Sequence, residues 1–286
     1  MKNSPKTHEL TIAIFDSGVG GFSILESVQK RWPTLKYIYC SDNAHYPYGL
    51  KSESDVVTFA NQAASKIAAK FKPHIFIVAC NTASTIALPS VRKTLDIPVV
   101  GVVPAIKPAA LSSKTKIIGL LATPATVKRP YTDQLIADFA SHCKVLCIGS
   151  SKLVDLAEEK TRGQRPDPNI ISKEIAPFFS DDVNTSSEKR LDTIVLGCTH
   201  FSLLKEELLL ASKWPINYFD ASQAIVERVT TLLSEHQLLQ LIPPSKEPLR
   251  EDSKNLTVVF TAQQDSIYLL ESYLVNFGFK KPFVFI

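Results

Sequence analysis

With 286 residues, a formal net charge of +4 and 45% hydrophobic content, the chain has length for two ordinary domains and no apolar run near the roughly 18 residues that a bilayer crossing needs. Its basic residues are interspersed with acidic ones and form no aromatic-laced stripe, so neither nucleic acid nor a membrane is expected as a partner. The five cysteines, at 40, 80, 143, 147 and 198, are odd in number and widely spaced, and residues 1–10 hold no apolar stretch of signal-peptide length. Reduced thiols in the cytoplasm are therefore expected rather than a disulfide framework.

Along the chain, short apolar runs predict strands at Thr11–Phe15, Tyr37–Cys40, Ile75–Ala79, Val99–Val103, Lys116–Leu121, Lys144–Ile148, Thr193–Leu196, Asn217–Phe219, Leu256–Phe260 and near Phe283. Helical periodicity fills most of the gaps. Ser52 to Asp55 reads as a capping-box start for a long helix ending near Phe71, and Ile225, Val226, Val229, Leu232 and Leu233 mark one buried face of a later helix. Strands alternating with helices imply α/β architecture, with parallel sheets covered on both sides. The breakers in 101–105 mark an exit from one sheet and 217–221 a return. The expected domains are then 1–104 plus 221–286, discontinuous, and 105–220 inserted between them. Surface loops are expected at Pro243–Asn255 and Arg165–Asn169.

The chemistry-bearing segments follow strand ends. The first strand runs into Asp16-Ser17-Gly18-Val19-Gly20-Gly21, a spacing that matches neither a dinucleotide fingerprint nor a P-loop. An ordinary tight turn explains the glycines, but Asp16 stands where it could hold a substrate ammonium or orient a thiol. Asp42, after the second strand and ahead of Pro47-Tyr48-Gly49, would reach the same cleft if the first two strands are neighbours.

Val78-Ala79-Cys80-Asn81-Thr82 and Leu196-Gly197-Cys198-Thr199-His200 each carry an apolar strand into a cysteine followed by polar residues. A lone cysteine is most often simply buried. Two thiols in matching places, each at or near a helix N-terminus that favours the thiolate, instead suggest an acid and a base on opposite faces of one substrate, as a racemase or epimerase requires. His200, two residues past Cys198, could assist that thiol. Thr123 and Thr126 end another strand, where a hydroxyl cap on the next helix and a carboxylate site are compatible readings. Cys143 and Cys147 have no second Cys/His pair at finger spacing nearby, so no metal is expected.

Together these segments resemble the glutamate racemases. The resemblance runs over nearly the whole chain, through residues 15–21, Asp42 with 47–49, 79–85, 101–105 and 196–201. It implies two similar α/β domains related by pseudo-twofold symmetry with the active site in the cleft between them, no cofactor, and a role in supplying D-glutamate for bacterial peptidoglycan. By matching motifs, Cys80 and Cys198 are the acid/base pair. Asp16, Ser17, Tyr48, Gly49, Asn81, Thr82, Thr123, Thr126, Thr199 and His200 contact substrate, with Asp16 and His200 assisting the thiols. Asp42 and Glu158 correspond to secondary acidic residues. Two positions depart from the family pattern. Ala125 stands where glycine is usual, and Ser202 where proline follows the aromatic residue.

Three other activities compete with this reading: a racemase for aspartate or a related amino acid, a Cys/His thiol hydrolase using Cys198 and His200, and an amino-acid binding protein. The residues allow a homodimer and regulation by a cell-wall precursor without requiring either.

Overall fold

Each expected strand forms. The computed structural model describes residues 10–181, 186, 189–242, 255–280 and 282–286. Its strands are β1 (Thr11–Asp16), β2 (Lys36–Ser41), β3 (Ile75–Val78), β4 (Val99–Gly101), β5 (Ile117–Ala122), β6 (Lys144–Gly149), β7 (Thr193–Leu196), β8 (Asn217–Phe219), β9 (Asn255–Phe260) and β10 (Val284–Phe285). They pair in parallel throughout, as one sheet ordered β10-β9-β2-β1-β3-β4 and a second ordered β6-β5-β7-β8. The order β2-β1-β3-β4 thus recurs as β6-β5-β7-β8, which makes the ends of β3 and β7 equivalent places.

The period of two in a strand explains why the first sheet is covered on both faces. Along β1, Ile12 and Ile14 enter a core layer with Phe22, Val28, Ile225 and Val229. Ala13 and Phe15 enter the opposite layer with Phe76, Val78 and the small residues Ala60, Ala63 and Ala64 of helix Glu53–Phe71. That helix starts as its sequence predicts, with Ser52 accepting the Asp55 N–H at 3.2 Å. Ile225, Val229, Leu232 and Leu233 are buried as expected, and Val226 packs at the margin of the same layer.

After β4 the chain enters helix Ile106–Ser112, whose Ile106, Ala109 and Ala110 pack on Ile118, Leu120 and Val195 of the second sheet. It returns after β8 through helix Ser222–Glu235, which packs on the first sheet.

Several boundaries shift. The β4 strand stops at Gly101, and Lys116, at φ 58°, precedes β5 rather than opening it. The Arg165–Asn169 loop is shorter than expected because Asp167 accepts the Asn169 N–H at 2.8 Å and caps helix Pro168–Ile175. The loop expected at 243–255 lies, except for Asn255, outside the described residues, as does 1–9 of the opening segment. Among the described residues, no helix is long and apolar enough to cross a membrane.

Candidate active site

The carboxyl ends of β1, β3, β5 and β7 converge on a cavity of about 320 Å³, the position at which open α/β sheets bind ligands. Cys80 and Cys198 both line it, each at the N-cap of a short helix, Asn81–Ile86 and Thr199–Ser202, and each 7% exposed. One thiol comes from each sheet. All ten residues expected to contact substrate also line the cavity: Asp16, Ser17, Tyr48, Gly49, Asn81, Thr82, Thr123, Thr126, Thr199 and His200.

Around Cys80, the Ser17 hydroxyl lies 3.6 Å from the sulfur. Asp16 is fully buried and accepts the Gly18 N–H at 2.8 Å and the Thr199 hydroxyl at 3.1 Å. Burial raises the Asp16 pKa, against the opposing pull of His200. The Cys80 thiol is pushed up to about 12, first by burial and then by the Asp16 charge, although the Ala83 N–H and the Ser17 hydroxyl work the other way. The helix N-terminus does favour the thiolate, through the Ala83 N–H, but at this buried position desolvation outweighs it.

Around Cys198, His200 Nδ1 lies 3.7 Å from the sulfur, and its Nε2 meets Glu158 Oε1 at 2.9 Å. Glu158 also accepts the Val19 N–H at 3.1 Å and pairs with Arg162 at 2.7 Å. Burial alone would lower the imidazole pKa, but the bonds to Cys198 and Glu158 raise it well above its ordinary value. Burial would likewise raise Glu158, yet His200, Arg162 and the Val19 N–H bring it below the usual range.

The two secondary acidic residues do not line the cavity. Asp42, expected to reach the cleft, sits behind Tyr48 and accepts its hydroxyl at 2.5 Å, together with Thr261 Oγ1 at 2.6 Å and a contact from His45 Nδ1 at 2.9 Å. Glu158 sits behind His200. Each carboxylate therefore holds a lining side chain rather than meeting a ligand.

Close approach explains two of the glycines after β1. A Cβ on Gly20 would stand 2.5 Å from both His200 Nδ1 and Thr199 Oγ1, and one on Gly18 would stand 2.5 Å from Glu158 Oε1. The turn is glycine-rich because the opposite half of the site presses against it. At 123–126, Thr123 Oγ1 accepts the Thr126 N–H at 3.3 Å and lies 2.9 Å from Thr126 Oγ1. Ala125 lies inside helix Pro124–Val127, and positive φ outside glycine occurs only at Lys72, Lys116 and Gln237 among the described residues. Alanine in the family's glycine position therefore carries no backbone strain here.

Sequence reasoning missed Tyr46, Leu50, Ser151, Val154 and Asp155, which also line the cavity. Ser151–Asp155 follows β6, the counterpart of β2 in the repeated strand order, so the repeat itself was the signal that could have found it. Asn81 lines the cavity, and its Oδ1 is buried without a hydrogen-bond partner. Among the described residues no three His, Cys, Asp or Glu side chains are grouped to hold a metal ion.

Residues 23–229 match the family model described as Asp/Glu/Hydantoin racemase. The chain is 47% identical over 237 residues to the glutamate racemase of Pasteurella multocida, covering 82% of this chain and 83% of that protein. It is 42% identical over 268 residues to the glutamate racemase of Shewanella woodyi, covering 94% and 95%. Among solved structures, Escherichia coli glutamate racemase in complex with L-glutamate and the activator UDP-MurNAc-ala superposes with a TM-score of 0.83 at 38% identity, covering 95% of this chain and 96% of that one. The Francisella tularensis enzyme in complex with D-glutamate gives 0.70 at 25% identity, covering 93% and 94%.

Proposed function

The chain belongs to the Asp/Glu/hydantoin racemase family, and on that footing we propose that it interconverts L- and D-glutamate with Cys80 and Cys198 as the two acid/base groups. Residues 1–104 with 221–286 form one domain of this reading and 105–220 the other. The observation that carries it is the pair of thiols lining one cavity from equivalent strand ends of two sheets.

The α-hydrogen of an amino acid is very weakly acidic, so the site must stabilise negative charge as it develops on the substrate. One cysteine enters as thiolate and takes the α-proton while the other, as thiol, delivers its proton to the opposite face; for the other enantiomer the roles reverse. Cys80 takes the proton from D-glutamate and Cys198 from L-glutamate. Ser17 orients the first thiol, and the His200–Glu158 pair holds the second within reach of a protonated imidazole. Asn81, which lines the cavity, contacts the substrate. Closing the cleft over substrate removes water from a poorly solvated base.

The contacts Cys198–His200–Glu158 are also what a thiol hydrolase would use, but that reading leaves the equally placed Cys80 idle. Working thiols at two positions fit a reducing compartment, so we assign the enzyme to the cytoplasm, feeding D-glutamate to peptidoglycan synthesis. Regulation by a cell-wall precursor belongs to the same reading. A second cavity of about 830 Å³ beside β4, lined in part by Arg92 and Arg228 together with Asp96 and Glu235, offers guanidinium groups suited to a diphosphate. Added UDP-MurNAc-alanine should change the racemisation rate.

The deciding experiment is α-hydrogen exchange of L- and D-glutamate in deuterated water without added cofactor. Exchange with racemisation of both enantiomers is expected. Stereoselective binding without exchange, or turnover of aspartate alone, would overturn the assignment.

A further inference from the structure

Arg129 reaches from the second domain to the helix that begins at Cys80. It directly precedes helix Pro130–Ala140, and its Nη1 donates to Thr85 Oγ1 at 2.6 Å and to the Thr82 carbonyl at 3.5 Å. Both threonines belong to helix Asn81–Ile86, whose N-cap is Cys80. The Thr85 hydroxyl donates to the Thr82 carbonyl at 3.0 Å, which leaves its oxygen lone pairs to accept the guanidinium N–H.

The guanidinium is half-buried, and among the described residues no carboxylate lies within ion-pair distance of it. Burial lowers its basicity, while Glu53 and Cys80 are the charges that act to keep it protonated. A partly desolvated cation without an acid partner is costly, and this one stands beside the cleft in which an anionic substrate and a thiolate are to meet.

We propose that Arg129 is a positioning residue for the half-reaction of Cys80, clasping the two domains and holding a fixed positive charge against the helix of that thiol when it must act as base. The inference rests on the two-thiol reading above. In the direction from D-glutamate, the Cα–H bond breaks, its proton goes to the Cys80 thiolate, and the Cys198 thiol gives its own proton to the other face. Burial and the neighbouring Asp16 both oppose the Cys80 thiolate, and Arg129, on which the Cys80 charge acts to favour protonation, is placed to help the Ala83 N–H and the Ser17 hydroxyl offset them. In the direction from L-glutamate Cys80 enters as a neutral thiol and becomes the thiolate as it delivers its proton, so Arg129 stabilises that transition state over its ground state, whereas from D-glutamate it stabilises the ground state as well.

The test measures kcat and KM in both directions for wild type, Arg129→Ala, Arg129→Lys and Thr85→Val. Loss of a charge-assisted contact predicts a fall of about tenfold in kcat from L-glutamate for Arg129→Ala, because the charge on Cys80 appears only on the way to the transition state in that direction, and a change of less than about threefold from D-glutamate. Because racemisation has an equilibrium constant of one, kcat/KM falls by the same factor in both directions, so KM for D-glutamate rises while KM for L-glutamate stays near its wild-type value. Arg129→Lys should recover part of the loss, and millimolar guanidinium added to Arg129→Ala should recover the rate from L-glutamate. Thr85→Val keeps the charge but removes the accepting oxygen, and should show a smaller loss in the same direction. Equal kcat losses in both directions, no response to guanidinium, or unchanged rates would overturn the proposal. Should Arg129→Ala fail to fold, the direction of the Thr85→Val loss decides. An inactive wild type would instead overturn the racemase assignment itself.

Discussion

The Thr199 hydroxyl donates to Asp16 Oδ2 across 3.1 Å, so the residue following Cys198 is bonded to the carboxylate beside the Cys80 half of the site. Two more bonds cross between the halves nearby, from the Val19 N–H to Glu158 at 3.1 Å and from the Ser23 hydroxyl to the Thr199 carbonyl at 3.4 Å. The environments of the two thiols are therefore mechanically joined, and a change on one side is felt on the other.

Replacing either Cys80 or Cys198 by alanine should abolish racemisation, because each turnover needs an acceptor and a donor. Serine should fail as well, its hydroxyl being far less acidic than a thiol. Cys143→Ala and Cys147→Ala should leave the rate unchanged, both lying outside the cavity. Cys40→Ala should keep activity at a stability cost of about 1 kcal/mol for its buried sulfur. Steady-state rates and thermal melts of the five alanine and two serine variants check this. A near-normal rate in either of the first two would refute the assignment.

Asp16→Asn should slow kcat more from D-glutamate and His200→Asn more from L-glutamate, each assistant acting mainly on its nearer thiol. The Thr199–Asp16 bond passes a smaller part of each loss to the other direction. KM must compensate to keep the equilibrium constant at one. Equal kcat losses both ways in both variants would remove the directional part of the mechanism.

The Glu158–His200 pair makes a signed prediction about stability and pH. Glu158 is held below its ordinary 4.5, so its contribution is present above that value and is lost as pH falls through the lowered one. His200 is held above its ordinary 6.5, so its contribution is full below 6.5 and is lost as pH rises through the raised value. The melting temperatures of wild type and Glu158→Gln should therefore differ most at about pH 5 to 6.5, by the equivalent of about 3 kcal/mol for a broken buried pair. The gap should narrow at both ends of the pH scale. A gap that stays constant with pH would show that the pair is not ionised.

Two glycines should respond differently to alanine. Gly20→Ala places a methyl against His200 and Thr199 and should cost most of the activity in a protein that still folds. Gly163 has φ +86° with nothing within 4 Å of a new Cβ. Gly163→Ala should lower stability by about 1 kcal/mol through backbone strain and leave kcat unchanged. Circular dichroism melts and initial rates on the same preparations separate the two effects.

Much of the fold was legible because its signals are local. Runs such as 75–79 and 193–196 are apolar and β-branched, their neighbours have helical period, and strands of this length between helices have few arrangements other than parallel sheets. Both thiols were legible for the same reason: each sits where a strand gives way to polar residues, which a single pass along the chain can see. The Ser52 cap and the buried face of 225–233 belong to the same class.

The chain by itself thus determined the strands, the two thiol positions and the side chains that follow them. Tertiary structure alone decided what stands behind those side chains. Asp42 turns out to brace Tyr48 and Glu158 to brace His200, and Gly20 is small because His200 approaches it. Cys80 carries a raised pKa because its strand end is dry. Such relations join residues 139 and 183 positions apart, as Val19 to Glu158 and Asp16 to Thr199 do. They depend on how two sheets meet, and desolvation and close contact are set by that meeting rather than by any neighbour in sequence.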